Sequence, residues 1–226
     1  MWVEQAIFTS LPRRGREGYH LVGRSSSIEE VDARAITRWC PSHGGLLLDA
    51  HNRASVNFHP LPSGRFALSR SCEGPPEYSG RGGCQVYTHI LILDDRALQA
   101  AGGQPFDIYR NALALGYLFH QFNPPRSLEP LELPTFHVRR DRRSWGGLAR
   151  DLGLPPIEPW RERLMAGRIA RIGYDGDRAL LAECLIGSLP PEAVRRVSFA
   201  SSLQPSVVRP FVLSLVDTSM TQGSAR

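Results

Sequence analysis

The sequence predicts an α+β protein in which a mainly antiparallel β N-terminal lobe, residues 1–103, packs with a mixed helical lobe, residues 104–216, that ends in a β-hairpin. Three observations carry this reading. Residues 18–43 form an ordered unit of strand, helix and tight turn; the run from Cys84 to Leu93 is almost continuously apolar with β-branched character; and proline and aspartate helix starts cluster after Gly103. With 226 residues and 42% hydrophobic content, the chain can bury a sizeable core. Residues 1–216 are accordingly read as a single domain of two lobes, and 217–226, small and polar, as a flexible tail.

The elements follow in order. Trp2 to Phe8 and Tyr19 to Arg24 carry β-branched and aromatic residues on either side of a polar loop containing Pro12, Gly15 and Gly18, which predicts two strands. Ser27 and Glu30 have capping-box spacing, and Ile28, Val31, Ala35 and Trp39 then recur on one helix face until Pro41 and Gly44 end it. Ala54 to His59 and Arg65 to Ser71 flank Leu-Pro-Ser-Gly and predict a hairpin. The run ending at Leu93 is the expected central strand. Pro105 starts a helix carrying Phe106, Tyr109, Leu113, Tyr117 and Phe119, terminated by Asn123-Pro124-Pro125. Residues 126–156 are broken by Pro and Gly and are expected to form a long excursion. Pro159, Asp177 and Pro191 open three further helices. Val197 to Leu203 and Val207 to Val216 are expected to pair across Gln204-Pro205-Ser206, with Pro210 placing the last strand at an edge.

Every one of the 27 basic residues is arginine. A P-loop, a protein kinase and a Schiff-base enzyme each need a lysine, so the chain is none of these by itself. Its four cysteines are irregularly spaced, no apolar leader follows Met1, and no apolar run is long enough to span a bilayer. These features predict a cytoplasmic protein with reduced thiols, no membrane association and no cofactor. The net charge of +5 permits attraction to an anionic partner.

Several constellations carry possible chemistry. Cys40 and His43 have the local spacing of metal ligands, with Cys72, Cys84, His51, His59 or His89 as further donors, but paired knuckles are missing. Ser42, His43, Asp49 and His51 supply the residue types of a hydrolytic triad without a nucleophile elbow. Gly80 to Gly83 precede a strand, the reverse of the order a phosphate loop needs, while Gly102-Gly103 precede a helix. Arg139, Arg140, Arg142 and Arg143 form the densest cationic group, with Phe136 and Trp145 beside them. They are the candidate contact surface for an anion, a protein or nucleic acid.

Glu4 to Ser10, Gly18 to Val22, the turn Trp39, Cys40, Pro41, Ser42, His43, and Arg196 to Phe199 followed by Arg209-Pro210-Phe211 together resemble the N-terminal, type-2 domain of bacterial GTPase-associated proteins. Trp39, Pro41, Ser42 and His43 are its signature turn, in which Cys40 replaces an expected glycine. The resemblance implies an adaptor or scaffold without catalysis of its own, working beside a separate GTPase in a conflict or defence system. It carries over no catalytic residue. A nucleic-acid-binding module using the arginine group is the alternative, and a small hydrolase using Ser42 or Cys40 ranks last.

Overall fold

The computed structural model describes residues 1–12, 17–77, 82–134 and 142–221. Its elements are β1 (Trp2–Ser10), β2 (Tyr19–Arg24), α1 (Glu30–Trp39), β3 (Ala54–Pro60), β4 (Phe66–Pro76), β5 (Cys84–Leu93), α2 (Asp95–Ala100) and α3 (Pro105–Ala114). There follow β6 (Leu131–Glu132), α4 (Arg142–Asp151), α5 (Glu158–Met165), β7 (Ala170–Gly173), α6 (Arg178–Ser188), α7 (Pro191–Val194), β8 (Phe199–Ala200) and β9 (Leu213–Val216). The α+β class is as expected, with strands dominating the N-terminal part and helices the C-terminal part. Among the described residues no helix is long and apolar enough to cross a membrane.

One mixed sheet runs through both parts in the order β2-β1-β5-β4-β3-β8-β9-β7, with β6 on β1. Because side chains alternate along a strand, paired residues share a face. The row Leu91, Leu68, Phe58, Phe199, Leu213, Ala170 faces the main core under the helices. Phe66, Phe58, Phe199 and Phe106 stack in succession there, with ring centroids 5.3, 5.7 and 5.2 Å apart. The next row, Ala6, Ile90, Ser69, Asn57, Ala200, Ser214, Arg171, faces the opposite side. On that side α1 covers Ala6, Phe8, Ala67, Ile90 and Ile92. Toward β3 the same face turns polar and stays satisfied. The Asn57 amide donates to Ser69 and Ser71 and accepts from Ser55, and Ser71 bonds Thr88.

The hairpin around Leu61 to Gly64 and the central position of β5 match the sequence reading. Other expectations are corrected. The C-terminal strands do not form a hairpin: β8 and β9 are parallel. After β8 the chain pairs with residues 45–47, through the Leu46–Leu203 bridge and the Gln204 N–H on the Gly45 carbonyl, before turning at 206–209 and re-entering beside β8 in the same direction. Pro210 therefore precedes an interior strand, since β9 lies between β8 and β7. The helix from Pro105 stops at Ala114, because Gly116 and Leu118 adopt left-handed φ values of 84° and 66°. The capping box is not formed: α1 starts from Glu29 without a side-chain cap. Gly102 and Gly103 donate their N–H groups to Gln99 and Leu98 and close α2 rather than opening a phosphate loop. The excursion contains β6 and α4. Thr218–Met220, inside the expected tail, form a 3-10 turn held by Asp217 and by Asp175.

Arg178 locks the C-terminal strands to the N-terminal sheet. Its side chain is 1% exposed and donates to Ser202 Oγ, the carbonyls of Tyr174 and Leu47, and Asp49 Oδ2 at 2.8 Å. Asn52 completes the knot, accepting from the Arg178 N–H and donating to Asp49 and the Gly176 carbonyl. Replacing Arg178 by Leu leaves four acceptors in this knot without their donor. The expected loss is about 3 kcal/mol of unfolding free energy, read from the urea midpoint, and an unchanged midpoint would contradict the role assigned to the knot.

Candidate interaction site around the Trp39 turn

The site is built at the end of α1. One turn into that helix sits Asp32, fully buried, accepting from Ser63 N–H at 3.1 Å, Ser63 Oγ at 2.6 Å and Arg65 Nη2 at 2.9 Å. Burial opposes its charge, but the Ser63 and Arg65 bonds outweigh that and hold its carboxyl below the usual value. This contact ties α1 to the β3–β4 turn. Its buried residues are Asp32, Ala33 and Ile36, and the expected core stripe is displaced: Ile28 is buried, whereas Val31 is 41% exposed and Trp39 only half-buried.

Trp39 stacks on His59, centroids 4.5 Å apart and planes within 9°, and meets Phe211 edge-on at 4.8 Å. Cys40 follows in extended conformation, φ −69° and ψ 141°, as a residue before proline should, so the expected glycine is not needed. Pro41 is buried, and Ser42 to Gly45 make a turn closed by the Gly45 N–H on the Ser42 carbonyl, with Gly44 at φ 71°. Arg209 reaches into the turn, donating to the Cys40 and Gln204 carbonyls at 3.5 and 3.4 Å. Segments far apart in sequence thus converge on one aromatic and basic junction.

Two concavities flank it. A groove of about 540 Å³ is lined by Val31, Arg34, Arg38, Trp39, Pro60 and Leu61. Arg34 and Arg38 are exposed and have no ion pair among the described residues. On the other side a smaller cavity of about 130 Å³ lies among Arg171, Gln204, Ser206, Arg209, Phe211 and Ser214.

The remaining candidates are not brought together. Ser42 and His43 are exposed, with the His43 ring near Gly83. Asp49 accepts from the backbone N–H of His51, from Asn52 and from Arg178. Burial pushes the Cys40 thiol up, away from the reactive thiolate. Among the described residues no His, Cys, Asp and Glu group is placed to hold a metal, and all four cysteines are free. Arg139 and Arg140 lie outside the described residues, as do Phe136, Gly80 and Arg81, while Arg142 and Arg143 open α4. Trp145 is core: its buried ring packs so closely on α6 that a Cβ at Gly187 would clash with it, which removes it as a base-stacking surface. Arg34 and Arg38 were not singled out from the sequence, where His59 stood only as a further metal donor and Arg209 only as part of the family resemblance. For Arg34 and Arg38, the i, i+4 spacing beside an apolar stripe was the available signal.

Burial holds His59 near a pKa of about 4, and His89, bonded to Gln5 Oε1, near about 4 as well. Both are neutral in the fold, whereas in the unfolded chain they protonate near 6.5. The unfolded state therefore binds more protons between these values. The contribution of each histidine, up to about 3 kcal/mol, is full above about pH 6.5, is lost on acidification toward about pH 4 and changes no further below it. Urea midpoints measured across this window should fall steadily, and His59→Gln should flatten the slope; a pH-independent midpoint contradicts the burial of these rings.

Comparison with known proteins places the chain. The family model for GTPase-associated protein 1, N-terminal domain type 2, matches residues 2–134, more than half of the chain, including β1 to β5, α1 and the Trp39 turn. No curated protein and no solved structure matches. Residues 196–199 and 209–211, part of the resemblance read from the sequence, lie beyond the matched region, although Arg209 and Phe211 pack on the Trp39 turn within it. The chain belongs to the GTPase-associated protein 1 N-terminal domain family, type 2.

Proposed function

We propose that this chain is a non-catalytic adaptor of a bacterial, cytoplasmic conflict or defence system, and that it binds a separate GTPase through the groove beside Trp39. Family membership supports association with a GTPase in general. The observation that carries the more specific reading is the apolar stripe of α1 left open at Val31 and Trp39 and flanked by the unpaired Arg34 and Arg38. An apolar strip rimmed by exposed arginines suits a partner surface with an apolar ridge and acidic edges. The apolar part contributes contact area and the arginines steer and orient the encounter.

The test starts with the tagged chain purified from its host. The GTPase recovered is identified, and the binary complex is rebuilt from purified components. Reversing Arg34 and Arg38 to glutamate should weaken that complex at least about tenfold, with a smaller loss at high salt, while the circular dichroism spectrum and urea midpoint change little. A complex indifferent to the two substitutions contradicts the assigned surface. Recovery of nucleic acid with steeply salt-dependent binding, in place of a GTPase, would favour the arginine group at 139–143 instead.

A further inference from the structure

We infer that the cavity between β7, β9 and the 204–211 loop is a binding site for a phosphoryl group. It is separate from the groove proposed to hold the GTPase and stands on different observations.

The cavity gathers donors without acceptors. Arg209 Nε is buried and has no hydrogen-bond partner, and its terminal nitrogens reach only the two carbonyls of Cys40 and Gln204, at long distances. Arg171 stands across the cavity, beside Ser214 in the β7–β9 ladder. Its guanidinium makes no hydrogen bond or ion pair among the described residues, and neither do the side chains of Gln204 and Ser214. Ser206 Oγ accepts the Val208 N–H at 3.3 Å, which leaves its hydroxyl proton free to donate. No carboxylate lines the cavity. Two cations and three neutral donors thus face one small space walled on one side by Ala200, Leu203 and Phe211.

Burying part of a guanidinium without a counter-charge is costly, and an anion in the cavity would relieve that cost. Burial also makes Arg209 a weaker base than an exposed arginine, in keeping with a cation that lacks an acidic neighbour. Donors approaching from two strands and a loop exceed what the two oxygens of a carboxylate can accept, but they match the three free oxygens of a phosphate monoester. The volume of about 130 Å³ has room for several water-sized groups and not for a nucleoside or a peptide. The body of the ligand would therefore lie outside, where Ile169 is 64% and Val207 96% exposed.

The test titrates the full chain calorimetrically with inorganic phosphate, with acetate in parallel, and then with a nucleoside monophosphate and a phosphoserine peptide. One-site saturable phosphate binding is expected, weakened at least about tenfold in Arg171→Gln and in Arg209→Gln and retained in Arg126→Gln, an exposed arginine remote from the cavity. Arg209 braces the Trp39 turn, so if its variant fails to fold, Arg171→Gln carries the test. Tighter binding of the nucleotide or of the peptide identifies the source of the phosphoryl group. An absence of saturation, equal affinity for acetate, an unaffected Arg171→Gln, or an equal loss in Arg126→Gln overturns the assignment.

Discussion

The structure depends on a seam only two residues wide. β8 meets β3 at Phe58–Phe199 and Asn57–Ala200, and through that contact the five N-terminal strands and the β9–β7 pair become one sheet. So short a ladder would not hold by itself, and serines on both sides extend it. The Val56 N–H donates to Ser201 Oγ, the Ser201 N–H to the Val56 carbonyl, and the Ser202 N–H to Ser55 Oγ. Arg178 then clamps Ser202 to the loop that follows the Trp39 turn, and the phenylalanine stack crosses the same seam on the opposite face. Polar knots on one side and an aromatic column on the other make the two halves one body.

The same seam positions the face around Trp39. By fixing where β8 ends, it delivers residues 203–211 onto the Trp39 turn, so that Phe211 meets the Trp39 edge and Arg209 reaches the Cys40 carbonyl. The Asp32 anchor acts from the other direction, tying α1 to the β3–β4 turn with a charged position in the core and an apolar one outside. The groove lies beside this polar anchor, where Val31 is exposed and Trp39 only half-buried.

What was legible in the sequence was local. The Leu61–Gly64 hairpin, the central strand at β5 and the Asp177 cap of α6 follow from turn chemistry, apolar continuity and capping, and each is present. What was not legible depended on distant partners. The parallel β8–β9 pairing requires knowing that 203–204 will bond to 45–46, and the orientation of α1 requires knowing that Asp32 will find Ser63, thirty-one residues on. The site shows the same division. The Trp39 turn stood out through its own residues, whereas Arg171 takes its place only when the fold sets it across a cavity from Arg209.

We propose the face around Trp39 as the surface that meets a GTPase. Hydrogen–deuterium exchange of the full chain, alone and in the reconstituted complex, tests it most directly. Slowed exchange is expected in α1 and in residues 60–62, with little change in α4 to α6. Protection confined to residues 135–143, or spread evenly without reaching α1, would contradict it.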